Sequence, residues 1–176
     1  MVKDNENWIY WDELNEIKMN INDPNIKKIR KGQWFFEIDS NTYKFEASPL
    51  TLKDGTKGFL VEWGLIKEDG VITTELVGSA KNAVKIFSKV ISCMGKFIYG
   101  ENPDGFIMYA NKCIARVYDS MWAKHHLDEP INRYFSRDRE EHKKLNGEDI
   151  YVYHYYKKTE DAMSESQWQE VFAVCE

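Results

Sequence analysis

The sequence holds only three cysteines, Cys93, Cys113 and Cys175, odd in number, far apart and without a Cys-x-x-Cys pair. That argues against a disulfide framework and for a reducing compartment. No stretch approaches the ~20 apolar residues a membrane span needs. Met1 to Glu6 is polar where a signal peptide would be apolar. These absences predict a cytoplasmic protein, of a bacterium or an infected host cell, or a virion component, with no membrane association. Positive charge is also in deficit, 24 Lys and Arg against 29 Asp and Glu for a net charge of −5. A general nucleic-acid binder needs a basic face to offset phosphates, so nucleic acid is not the expected partner. The local run Lys27, Lys28, Arg30, Lys31 reads first as a solvated charge run. No internal repeat and no low-complexity tract interrupts the 176 residues, a length that suits one domain with a short appendage.

What is present is apolar and aromatic. Apolar residues reach 43%, charged residues 30% and aromatics 14%, which places the chain among globular proteins able to bury a core. Trp8, Ile9, Trp11, Leu14, Ile17 and Ile21 recur at spacings of three and four, which predicts a helix over 7–22, broken by Asn22-Asp23-Pro24-Asn25. Trp34-Phe36-Ile38 and Tyr43-Phe45-Ala47 alternate on either side of Ser40-Asn41, the pattern of a β-hairpin. Pro49 and Asp54-Gly55 mark a loop. Strands follow over Gly58 to Ile66 and Val71 to Val77, separated by a Glu68-Asp69-Gly70 turn.

The second half changes period. Ala80, Ala83, Val84, Phe87, Val90, Ile91, Met94 and Ile98 predict a long amphipathic helix from Ser79 to Tyr99, with Ser79 as N-cap and Gly100 and Pro103 as stops. Gly105 to Ala110 is strand-length and apolar. Asn111 suits the N-cap of a helix from Lys112 to about His126, whose inward face carries Ile114, Ala115, Tyr118, Met121 and Trp122. Residues 131–148 are charged and without clear period, and Ile150 to Tyr156 reads as a last strand. The expected fold class is α+β (mixed α/β): an antiparallel meander, then helix-strand-helix-strand in one mixed sheet, with helices covering both faces. The expected organisation is an N-terminal helical or irregular segment over 1–33, the α/β domain over 34–158, and an acidic tail over 159–176 in which a short helix from Ser164 to Val174 fits.

The order strand, glycine turn, long helix, strand ending in Ala-Asn, helix bearing Tyr resembles the GNAT (Gcn5-related N-acetyltransferase) fold. Two stretches carry the likeness. Gly78-Ser79-Ala80 matches the Gly-x-Gly/Ala turn where that superfamily holds a pyrophosphate, although Glu75 stands at the Gln/Arg position. Asn111 and Tyr118 match the Asn that opens a helix there and the Tyr seven residues on. The resemblance implies that Phe106 to Ala110 lies beside the strand leading into the Gly78 turn. It also implies that Gly78, Ser79 and Ala80 hold acetyl-CoA and that Tyr118 donates a proton to the departing thiolate. The base stays open among Glu62, Glu75 and a water. The same segment, through Val84-Lys85-Ile86-Phe87, Val90, Phe106 to Ala110 and Arg116-Val117-Tyr118, is similar to a group of uncharacterised tailed-phage proteins.

Other chemistries find less in the residues. His125 and His126 are adjacent and point apart on a helix, and no zinc-type spacing exists, so no metal is expected. No Gly-x-Ser-x-Gly turn or phosphate-loop fingerprint is present. Cys93 reads as core packing, Cys113 as structural at a helix start, and Arg116 first as an ion-pair partner of an acidic residue such as Glu75 or Asp119, with a phosphate contact as the alternative. Tyr151, Tyr153 and Tyr155 share one face of the last strand and offer either a protein-contact surface or a buried strand. These readings rank first a non-catalytic phage protein of GNAT-like fold, without cofactor, acting through protein contacts as a virion component or host-directed factor. The alternative is an acetyl-CoA-dependent N-acyltransferase.

Overall fold

The computed structural model describes residues 2–4, 7–9, 16–51, 55, 57–70, 72–73, 80–123, 135–141, 147 and 149–157. The two alternating runs around residue 40 form β4 (Gln33–Ile38) and β5 (Asn41–Thr51). The turn lies one residue earlier than the sequence suggests. Asp39 and Ser40 both take positive φ, 48° and 67°, as a two-residue turn matched to the twist of the strands requires. β5 then runs through Pro49, where a loop was expected. Beyond Ala47 the strand has, among the described residues, only β6 (Lys57–Ile66) as a ladder neighbour, so a residue without an N–H is tolerated there.

The N-terminal region departs from the helix expected over 7–22. Residues 2–4 (β1) and 7–9 (β2) pair as a small antiparallel sheet, and residues 16–26 carry no helix. Residues 10–15 lie outside the described residues. Ile17, Met19 and Ile26 join the core cluster, and β3 (Lys27–Arg30) pairs with β4. Gly95 makes room for this segment, since a Cβ there would stand 2.9 Å from the Met19 sulfur. Three of the four basic residues, Lys27, Lys28 and Arg30, thus lie on a strand at the border of the sheet whose four residues are all exposed, and charge at such a border discourages edge-to-edge association.

The long period-3.6 run is α1 (Ala80–Glu101), and the second is α2 (Lys112–Ala123). Asn102, at φ 44°, closes α1 by donating its N–H to the Ile98 carbonyl at 2.9 Å. Asn111 caps α2, its Oδ1 accepting from the Ile114 N–H at 2.9 Å. Between the helices lies β8 (Gly105–Asn111). The charged stretch after α2 contains β9 (Phe135–Glu141), which the sequence does not mark, and β10 (Ile150–Lys157) closes the described chain.

Together with β7 (Ile72–Thr73) these strands make one mixed sheet of eight, in the order β3-β4-β5-β6-β8-β10-β9, with β7 on β6. The fold class is α+β. All pairs are antiparallel except β6–β8. Register puts Trp34, Phe45, Trp63, Phe106 and Tyr155 on one face. Both described helices lie on that face: Phe97 of α1 meets Phe59 and Phe106, and Tyr118 of α2 meets Tyr153. The expectation of a helix on each face therefore fails among the described residues. The alternation supplies the reason, because Lys44, Glu46, Ser48 and Glu62 keep much of the second face polar.

Candidate functional site

β6 and β8 run in parallel and pair from Gly58–Gly105 to Val61–Met108, and there the ladder stops. Each strand goes on, β6 to Ile66 and β8 to Asn111. β7 borders the same edge of β6 further along, pairing at Leu65 and Ile66, because β5 occupies the other edge. The strand that parts from β8 is therefore β6. The strand expected to lead into the Gly78 turn beside Phe106 to Ala110 is described only in part, since residues 74–79 lie outside the described residues. The described part of that strand, Ile72–Thr73, pairs with β6 and forms no ladder with β8.

Just beyond the parting, Trp63 points to the helix face and donates its indole N–H to the Tyr118 hydroxyl at 2.6 Å. Both side chains are buried. The bond joins β6 to the helix that follows β8, so it bridges the two arms on the side where they have separated. Phe87 packs edge-on against Trp63 at 5.7 Å and against Tyr118 at 6.4 Å. Burial pushes the Tyr118 phenol above its ordinary value, a shift that the hydrogen bond from Trp63 only partly opposes. The phenol stays protonated at neutral pH.

Tyr118 sits within a second set of contacts. Its ring meets Tyr153 edge-on at 5.7 Å. The Tyr153 hydroxyl lies 3.2 Å from the Ala115 carbonyl oxygen and 3.1 Å from Asp119 Oδ1, two acceptors for its proton. Arg137 of β9 donates to Asp119 Oδ1 at 2.8 Å and stacks over the Tyr153 ring at 4.8 Å. Asp119 pairs with Arg137, and Arg116 is exposed on α2. These contacts lock α2 against β9 and β10 and hold the Tyr118 backbone in place.

The other sequence-selected residues are scattered. Gly78, Ser79 and Glu75 lie outside the described residues. Ala80 is the first residue of α1, and its side chain is not among those described. Glu62 is exposed on the face away from Tyr118. Tyr151, Tyr153 and Tyr155 are buried, at 8%, 0% and 8% exposure, because β10 lies between β8 and β9 and its tyrosine face meets the helices. They form part of the core. Cys93 is fully buried in α1, and burial pushes its thiol well up. His154 is buried on the opposite face, with Nδ1 3.3 Å from the Tyr156 hydroxyl. Among the described residues no group of His, Cys, Asp and Glu could hold a metal ion, and no helix is long and apolar enough to cross a membrane. Sequence reasoning missed Trp63 and the Asp119–Arg137 pair. Trp63 was legible only as one more alternating strand residue, and its partner is 55 positions away. Comparison with family models, with curated proteins and with solved structures finds no match to this chain.

Proposed function

We propose that this chain is a non-catalytic protein on an acyltransferase-like sheet, of phage type, which acts through protein contacts in a virion or on a host system. The Trp63–Tyr118 hydrogen bond carries this reading. In the family likeness, Tyr118 is a proton donor facing a bound thioester. Here the phenol is buried in the core with its oxygen accepting from an indole N–H, which leaves little room for a thioester beside it. The position of β8 supports the same reading. It parts from β6, whose end leads into the Lys67–Gly70 turn and not into the glycine turn where the likeness would seat a pyrophosphate. Calorimetric titration with acetyl-CoA tests the proposal. No heat of binding at micromolar concentration is the expected result, and saturable binding overturns it.

The parting of β6 and β8, together with the capping of α2 by Asn111, favours a second reading, an acetyl-CoA-dependent N-acyltransferase. That reading requires acetyl transfer to an amine acceptor that falls sharply in Tyr118→Phe. Acetyl transfer unchanged by that substitution removes Tyr118 from the reaction.

A further inference from the structure

Residues 16–23 and the outer side of α1 enclose a groove of about 380 Å³. Its floor is apolar, from Ile38 and Val84, and its rim is charged, from Glu16, Lys18, Asp23, Lys85 and Lys89. The wall is fixed by hydrogen bonds. The Lys18 backbone N–H donates to Ser88 Oγ at 3.2 Å, and that of Asn20 donates to Ser92 Oγ at 2.8 Å. Ser92 Oγ in turn donates to the Ser88 carbonyl at 2.7 Å. The Met19 side chain is seated against Gly95 one turn further along. The groove is therefore preformed, and a ligand entering it spends little on ordering its walls.

Charge decides what fits. Asp23 is taken by Lys89. That leaves Lys18 and Lys85, which have no ion-pair partner among the described residues, against the single carboxylate of Glu16. A chain of net charge −5 thus presents a net positive rim around an apolar floor. The volume lies at the small end of ligand pockets, roughly 300–1,000 Å³, which suits one inserted side chain better than a large cofactor. Cations at a rim set register and steer the approach of an opposite charge, while the apolar centre supplies affinity.

We propose that this groove receives a segment of a partner protein that inserts one apolar side chain between flanking carboxylates. The proposal rests on the protein-contact reading and gives it a surface. A nucleic acid fits less well, because the floor is apolar and two of the five rim charges are carboxylates.

Amide shift mapping by NMR on the full chain tests it with three probes. They are a blocked hexapeptide with leucine between glutamates, the same peptide with lysines for glutamates, and a single-stranded oligothymidine. The glutamate peptide is expected to shift residues 16–23 and 84–92 saturably. Its affinity should fall about tenfold or more in Lys18→Glu/Lys85→Glu, and also with added salt. Lys18→Gln/Lys85→Gln, which removes charge without reversing it, should lie between. No shift at those residues overturns the proposal, as does an equal response to the lysine peptide or a preference for the oligonucleotide. Acetyl-CoA titration separates this failure from that of the non-catalytic reading. Acetyl-CoA binding with the peptide shifts intact sinks only the latter. Silent peptides without acetyl-CoA binding sink only the groove.

Discussion

The two faces of the sheet are made by the same strands yet differ in kind. Toward the helices stand Trp34, Phe36, Tyr43, Phe45, Phe59, Trp63, Phe106 and Tyr153, all buried and several in ring contact. Away from them β4 to β6 carry Glu37, Lys44, Glu46 and Glu62, partly or fully exposed. Period-two alternation separates the two environments along one backbone. The consequence is that neighbouring residues of a single strand should differ several-fold in what they contribute.

The largest expected effect tests this within β8. Phe106 is 1% exposed and packs against Phe97, Phe135 and Tyr155. Phe106→Ala should cost about 3–5 kcal/mol in urea unfolding, transfer and cavity terms together. Ile107→Ala, on the half-buried opposite face, should cost clearly less, and equal costs would break the comparison. Next comes the polar bond within the apolar face. Trp63→Phe removes the donor to Tyr118 and should cost about 1–3 kcal/mol. In a Tyr118→Phe background the same change should cost less, and an additive double-mutant cycle would deny the coupling.

A smaller effect is expected at the tight turn between β3 and β4. Gly32 has φ 78°, and a Cβ there would stand 2.6 Å from the Ala47 carbonyl oxygen, beside the bond from the Ala47 N–H to the Gly32 carbonyl. Gly32→Ala should destabilise by more than about 1 kcal/mol, read as a lower denaturation midpoint with an unchanged slope. The smallest effect belongs to the polar face. The Lys44 ammonium, hydrogen-bonded to Glu46, lowers the Glu46 pKa from 4.5, with Ser48 assisting. A lowered folded pKa means that this stability is present above the unfolded value and lost as pH falls through the folded one. Glu46→Gln should therefore cost under about 1 kcal/mol at pH 7 and nothing once the pH lies below the folded value. A constant difference between the two proteins across that range would contradict the assignment.

Several features were readable from residues alone. The hairpin around residue 40, the strand from 58 to 66 and the helix from 80 to 99 follow from apolar period, and the Asn111 cap from residue type. The N-terminal error has a definite cause. Trp8 and Ile9 lie on a strand despite their place in the apolar spacing, and Ile17 and Met19 are drawn into the core beside α1. β9 was illegible because Ser136, Arg137 and Asp138 look like a charged loop. Pairing with β10 makes it a strand, and Arg137 finds Asp119 only then.

By itself the sequence determined which side of each element is apolar, because alternation and the 3.6-residue period are local properties of the chain. It did not determine which element that side would meet. The order of the strands, the parting of β6 from β8, the burial of the β10 tyrosines and the Trp63–Tyr118 bond were decided only by tertiary packing. Each depends on surfaces far apart in the chain competing for one core, and no window of neighbouring residues records the outcome of that competition.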